Sequence, residues 1–197
     1  MKKTTKILLL VVCVATLLVG AVAGTYAWLV ASTAPVENTF TFGNINITLT
    51  ETKGTKTDDA GRQYEFKILP GKTVPKDPTV TVLAGSEKCY LFFKVEEENG
   101  FSTYIDYEIA DGWTALDEKN HPGVYYRIVE ENGENQPFNI IKDDQVEVNS
   151  DITKQQIDGM VSAGTLPAMS FVAYAVQFEG VNDAATAWGI ANPPANP

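Results

Sequence analysis

The sequence predicts an all-β protein: an antiparallel β-sandwich, jelly-roll-like, with one or two short helices. Three observations carry that expectation. Apolar and polar residues alternate with a period of two along most of the chain beyond residue 44. Asn-Gly, Asp-Gly and Pro-Gly dipeptides punctuate the alternating runs. Only two short stretches carry helical spacing. Roughly eight to ten strands with few helices is the pattern of a sandwich.

The chain begins differently. Lys2, Lys3 and Lys6 precede a charge-free apolar run over residues 7–23, the layout of a secretory signal with an accompanying signal helix. Two small-residue cut patterns follow, Ala21-Val22-Ala23 and Thr25-Tyr26-Ala27, the second releasing Trp28 as a new terminus. No charge appears between Lys6 and Glu37, so an uncleaved signal-anchor is the competing expectation. Gly20, Gly24, Ser32, Thr33 and Pro35 dilute the second half of that run and favour cleavage. The expected organisation is a signal peptide over 1–27, an N-terminal arm over 28–42, a β-sandwich domain over 43–191 and a disordered, proline-rich tail over 192–197.

Loss of the three signal lysines takes the formal charge from −10 to −13. So acidic a chain lacks the basic footprint that nucleic acid demands. Cys13 leaves with the signal and Cys89 stands alone, so no intramolecular disulfide is expected. In "CYLFFKV" that cysteine reads as a small buried strand residue.

The strands follow in order. Ile45, Ile47 and Leu49 alternate with polar residues, as do Tyr64, Phe66 and Ile68. Pro75 and Pro78 keep "GKTVPKDPTV" extended, at an edge or in a loop. Val80 and Val82 come next, then Cys89, Leu91, Phe93 and Val95 on one face of a strand. Ile105, Tyr107 and Ile109 continue the pattern, then Val124, Tyr126 and Ile128, then Phe138 with Ile140, then Val146 with Val148. Asn99-Gly100, Asp111-Gly112 and Asn132-Gly133 read as tight hairpin turns between these runs. "AMSFVAYAVQF", residues 168–178, is apolar on both faces and reads as a central, fully covered strand. The helical stretches are "SDITKQQIDGMVSAG", with Ser150 or Asp151 as N-cap, and "NDAATAWGI", with Asn182 or Asp183.

Residues that carry chemistry are sparse. The one histidine, His121, sits in the polar stretch "DEKNHPGV" and is expected to be a solvent-exposed loop residue. There is no HExxH, no phosphate loop and no dinucleotide fingerprint. Glu96-Glu97-Glu98, Glu130-Glu131, Asp143-Asp144 and Asp58-Asp59 fall beside turns, where acids are ordinary solvated surface, and none matches EF-hand spacing. The expectation is no enzyme, no cofactor and no metal site.

One register detail stands out. Phe40 and Phe42 fall on even positions, whereas Ile45, Ile47 and Leu49 fall on odd ones. Gly43 and Asn44 are expected to shift the phase by a bulge or turn, and so to act as a hinge between arm and first core strand.

A signal ending in "GTYAW", followed by "NTFTFGNINITLTE", resembles the substrates of the SipW-type signal peptidase, the TasA and camelysin-like surface proteins of Gram-positive bacteria. The pattern is carried by Gly24, Thr25, Ala27, Asn38, Phe40, Phe42, Gly43, Ile45, Ile47 and Leu49. The "LPG" at Leu69 and the stretch "FVAYAVQFEGVNDAATAW" also look like family features. The resemblance implies an extracellular or cell-surface structural protein of biofilm-matrix fibres on a jelly-roll domain. It implies a cut between Ala27 and Trp28 by that signal peptidase. It implies as partners the chain itself and other matrix proteins, and an arm donated as a strand to the neighbouring subunit. Camelysin has been classed as a metalloprotease, but one histidine and no metal-ligand cluster leave nothing here to inherit that activity.

Physical chemistry reaches the same arm separately. A cut after Ala27 leaves Trp28, Leu29 and Val30 at a free end, where apolar surface is unfavourable unless buried. Adding that arm, with Phe40 and Phe42, to an open sheet edge satisfies its backbone and buries its side chains. Donation to a neighbour and folding back onto its own domain are both open, with donation favoured. Donated head to tail, the contact does not close and makes a filament. A contrasting expectation is a monomeric adhesin or carbohydrate-binding sandwich held at the membrane by an uncleaved signal-anchor.

Overall fold

The computed structural model describes residues 43–59 and 62–192, which fall within one compact unit. The signal segment with its cut at Ala27 and Trp28, the arm residues Leu29, Val30, Phe40 and Phe42, and most of the tail lie outside the described residues.

The described chain is mostly β, in several antiparallel sheets, none closed. In order the strands are β1 (Ile47–Thr50), β2 (Thr55–Lys56), β3 (Tyr64–Glu65), β4 (Thr73–Pro75), β5 (Thr79–Val82) and β6 (Cys89–Glu98). There follow a single helical turn, α1 (Phe101–Tyr104), β7 (Ile105–Asp106), β8 (Thr114–Asp117), β9 (His121–Val129), β10 (Gln136–Asn139) and β11 (Gln145–Val148). Helix α2 (Lys154–Ala163), β12 (Ala168–Gln177) and helix α3 (Ala184–Ala191) complete the chain. One sheet runs β12-β6-β9-β8, a second β1-β5-β10, a third β4-β11-β7, and β2 pairs with β3.

Strand β6 is the hub. Its Cys89, Leu91, Phe93 and Val95 face the main core, as the alternation predicts, and join Val80 and Val82 of β5, Val146 and Val148 of β11, and Ile140 and Ile141 from the link between β10 and β11. Its other face is just as apolar. Tyr90 and Phe92 pack with Val124, Val176 and Trp188 in a second cluster, closed over by α3. Sidedness also differs in β9: Val124 and Tyr126 belong to this second cluster, while Tyr125 and Val129 face the main core. Ile128 is left exposed.

Gly123 lies just beyond the end of the β6–β9 ladder at Lys94 and Val124. Its φ is +72°, and a Cβ there would lie 2.5 Å from the Val95 carbonyl, so only glycine lets the two chains cross this closely. Proline behaves as expected. Pro75 lies on an edge strand, and Pro78 is fully buried in the loop before β5.

Several expectations need correction. None of the three glycine dipeptides joins strands that pair with each other. Asn99-Gly100, both at positive φ, carries the chain from β6 into α1 and the third sheet. Asp111-Gly112 connects β7 to β8, and Asn132-Gly133 connects β9 to β10, each pair lying in different sheets. The hairpin that does form, β8–β9, turns through residues 118–120, with the Asp117 carboxylate accepting from the backbone N–H of Lys119. His121 starts β9 half-buried, its ring 6.4 Å from that of Trp188. It is not an exposed loop residue, because β9 begins at His121 and not at Val124, where the alternation first shows.

Helix α2 is capped by Thr153, not by Ser150 or Asp151. Thr153 and Gln156 form a reciprocal capping box, which outcompetes the earlier candidates because it satisfies two backbone N–H groups at once. Helix α3 starts at the expected Asp183. The largest correction concerns β12. Among the described residues it pairs only with β6, so it is an edge strand and not a central, fully covered one.

Candidate functional site

The sequence places its candidate site where the arm enters the domain, and the structure describes that entry from Gly43 and Asn44 onward. Residues 43–46 run beside residues 83–87. The Asn44 carbonyl accepts from the Glu87 N–H at 3.0 Å, and the Asn46 carbonyl from the Leu83 N–H at 2.9 Å. Ser86, nearly fully buried, receives the Asn46 N–H on its hydroxyl at 3.1 Å. These bonds extend β1 backwards. Gly43 has no positive φ, and a Cβ there would lie 2.8 Å from the Glu87 Cγ, so that side chain would have to shift. Gly43 and Asn44 are thus exposed and held in line with β1; the irregularity in this ladder lies opposite them, around Ala84 and Gly85, where Gly85 has φ +76°.

Strand β1 is itself an edge, paired among the described strands with β5 alone. Ile45 and Ile47 point into the main core, whereas Leu49 is 37% exposed. Alongside β1 lies β12. At one end Asn44 is tied to Glu87, and the Phe178 N–H bonds the Lys88 carbonyl at 3.0 Å. At the other end Lys76 binds Glu51 at 2.8 Å while its ammonium lies 5.5 Å from the Phe171 ring. Residues 44–51 therefore run antiparallel to residues 178–171. Among the described residues no backbone bond joins the two, so two strand edges lie together, each with one open side.

The Lys76 end of this region is a buried polar knot. Lys76 and Glu51 are both almost covered, and the ammonium also sits 4.6 Å over the ring of Phe66. Glu51 accepts the Asp77 N–H as well, at 2.8 Å. Burial, with a hydrogen bond to the Asp77 carboxyl, raises the Glu51 pKa against the pull of Lys76. Burial also works against ionised Asp77. Hydrogen bonds from the Glu51 side chain, the Thr52 hydroxyl and the N–H groups of Thr52 and Lys53 overcome it and hold Asp77 well below the usual range. Asp77 thereby fixes the chain as it leaves β1. Sequence reading missed this knot; "VPKDP" offered the prolines but no hint that its lysine is buried.

Elsewhere, the Cys89 thiol is fully buried, and burial pushes its pKa up to about 11. Arg127 reaches across the main core with its guanidinium 4.0 Å from the Phe138 ring centre and 5.2 Å from that of Trp113. Burial lowers its pKa, and its Nε has no acceptor among the described residues. Two shallow hollows of about 340 and 350 Å³ lie over β4-β11-β7 and share Thr73, Asp106 and Glu147. Among the described residues, no three histidine, cysteine or acidic side chains gather into a metal-binding group, and no helix is long and apolar enough to cross a membrane.

A scan against protein-family models, a search of curated proteins and a search of solved structures each found no match to this chain.

Proposed function

We propose that this chain is a secreted structural protein that self-assembles into extracellular-matrix or cell-surface fibres. In this reading it is a TasA/camelysin-like chain exported on a SipW-type signal. The signal is cut after Ala27, and the described sheets form a jelly-roll sandwich. Its partners are copies of itself and other matrix proteins, and it has no catalytic role. The arm, residues 28–42, adds as a strand to a neighbouring copy.

One observation supports the reading: the N-terminal sequence signature runs straight into β1, an edge strand paired among the described strands with β5 alone. An extended apolar segment delivered at a sheet edge is what strand addition requires. A fully folded monomeric adhesin has no use for it.

The test compares secreted chain beginning at Trp28 with chain beginning at Asn38, by electron microscopy and sedimentation. The longer form is expected to make fibres and the shorter to stay monomeric. Equal behaviour of the two, or an N-terminus that retains Lys2, would sink the proposal.

A further inference from the structure

We propose that Lys76 and Glu51 join through a side-chain amide, a permanent crosslink that the folded domain makes within itself, with Asp77 as the proton carrier. The reaction happens once in each chain, so it is a self-modification and not the turnover of a substrate.

The pair stands apart from the other ion pairs of the described residues. Its side chains are 11% and 9% exposed, whereas every other paired lysine is at least 31% exposed. Among the described residues Lys76 is the one charged residue that is buried as a whole. Its ammonium lies against apolar rings, 4.6 Å from the centre of Phe66 and 5.5 Å from that of Phe171. Taking two charges out of water costs more than their attraction returns unless the geometry is excellent, and joining them as an amide removes both charges.

The backbone holds both reactants in place. Glu51 follows β1 and Lys76 follows β4, and the pairing of Thr50 with Thr79 brings the two segments together. The Lys76 N–H donates to the Asp144 carbonyl at 2.8 Å, and the Glu51 carbonyl accepts from the Tyr64 hydroxyl at 2.7 Å. Lys76 Nζ lies 2.8 Å from Glu51 Oε2, so the amine already touches the carboxyl that it attacks. Groups fixed in this way react as though present at on the order of 10⁵ M or more, which offsets the water that drives amides toward hydrolysis.

The surrounding groups supply the rest of the chemistry. Burial raises the Glu51 pKa and so favours the neutral carboxyl, the form an amine attacks. The ammonium gives one proton to Oε2 and becomes a neutral nucleophile. Its lone pair forms the Nζ–Cδ bond while the carbonyl electrons move onto Oε1. There the Asp77 backbone N–H, 2.8 Å away, meets the developing negative charge. A second proton leaves Nζ for the Asp77 carboxylate. That group is kept ionised against burial by its hydrogen bonds with the Glu51 side chain and with Thr52. Asp77 hands the proton to Oε2, the Cδ–Oε2 bond breaks, and water departs. An ammonium and a carboxylate have become one amide and one water, and no other reactant is consumed.

The product suits this chain. Cys89 has no second cysteine among the described residues, so no disulfide closes a loop there. The amide spans a sequence separation of 25 and ties the end of β1 to the segment that enters β5. It constrains the unfolded chain as a disulfide of that span would, and no reductant opens it.

The test is the mass of the folded chain, measured after denaturation. The chain is expected to be one water lighter than the mass calculated from its determined N-terminus. Trypsin should fail to cut after Lys76 and should yield residues 73–88 joined to the peptide that ends at Lys53. Lys76→Arg should have its full calculated mass. Asp77→Ala, shown to be folded by circular dichroism, should close at least about a hundredfold more slowly. A native chain of full mass, tryptic cutting after Lys76, or a loss of water that maps to another residue such as Asp111 overturns the proposal. Closure of Asp77→Ala at the native rate overturns Asp77 as the proton carrier. Where that variant does not fold, the native mass and peptide map still decide.

Discussion

Strands β6 and β12 lie side by side in unbroken antiparallel register, from Glu98 opposite Ala168 to Cys89 opposite Gln177. Both are ten residues long and apolar on both faces, yet they end in different environments. In β6 the residues from Cys89 to Phe93 are all buried; in β12 only Val176 is. The difference comes from neighbours. Strand β6 has β9 on one side and β12 on the other, whereas β12 has β6 alone. Two-faced apolarity therefore says that layers cover both faces of a strand. It does not say that strands flank both of its sides.

The first way to break this comparison is truncation at matched depth. Phe92 is fully buried between Tyr126 and Trp188, so Phe92→Ala is expected to cost about 3–5 kcal/mol. Phe171, half-covered in β12, should cost roughly half as much on the same change, because fewer contacts are lost. Urea unfolding of dilute monomer measures both. Equal losses would mean that β12 is as enclosed as β6 in the isolated molecule.

Much of this contrast is legible in the sequence, and the part that is not has a physical cause. The inward set Cys89, Leu91, Phe93 and Val95 follows from alternation alone, since side-chain direction along a strand is local. Which strand sits in the middle is not local. "CYLFFKV" and "AMSFVAYAVQF" carry the same signal, and only the partner of each strand distinguishes them. The same limit explains the glycine dipeptides. Asn99-Gly100 specifies a turn with two positive φ angles, but whether the strands beyond it pair depends on residues far away in sequence. At the candidate site, Gly43 and Asn44 were found from a phase shift, yet the structure holds them in line through Glu87, a partner no local pattern could name. Lys76 in its buried knot escaped for a related reason, as its acid, Glu51, lies a strand and a hairpin away.

A second prediction sharpens the comparison through chemistry. Cys89 opens β6 opposite Gln177, the last residue of β12, so its thiol reports whether β6 stays closed where its less buried neighbour ends. Burial raises its pKa from 9.0 to about 11. A group whose folded pKa is raised lends stability that is fully present below its unfolded value and is lost as pH climbs through the folded one. Stability should therefore fall between pH 9 and 11, and Cys89→Ala should flatten that part of the profile. At neutral pH a thiol reagent should label the unfolded chain fast and the native chain only through unfolding. Prompt native labelling would mean that local opening of β12 reaches β6.

The smallest expected effect is the most discriminating for the exposed face of β12. Val172 lies on β12 opposite Lys94 and is 44% exposed, so Val172→Thr removes little that the monomer has buried. A shape-preserving change at so open a position should shift monomer stability by no more than about 0.5 kcal/mol. In assembled material the same position should be covered, and there the added hydroxyl must lose its water. The substitution should leave urea unfolding of the monomer untouched while lowering the denaturant concentration at which fibres dissociate. A large loss in the monomer would show that Val172 is already buried before assembly. An effect on neither would mean that nothing comes to lie on this face. Because only the assembled state is predicted to feel this change, it separates a face that waits for a partner from one that is merely exposed.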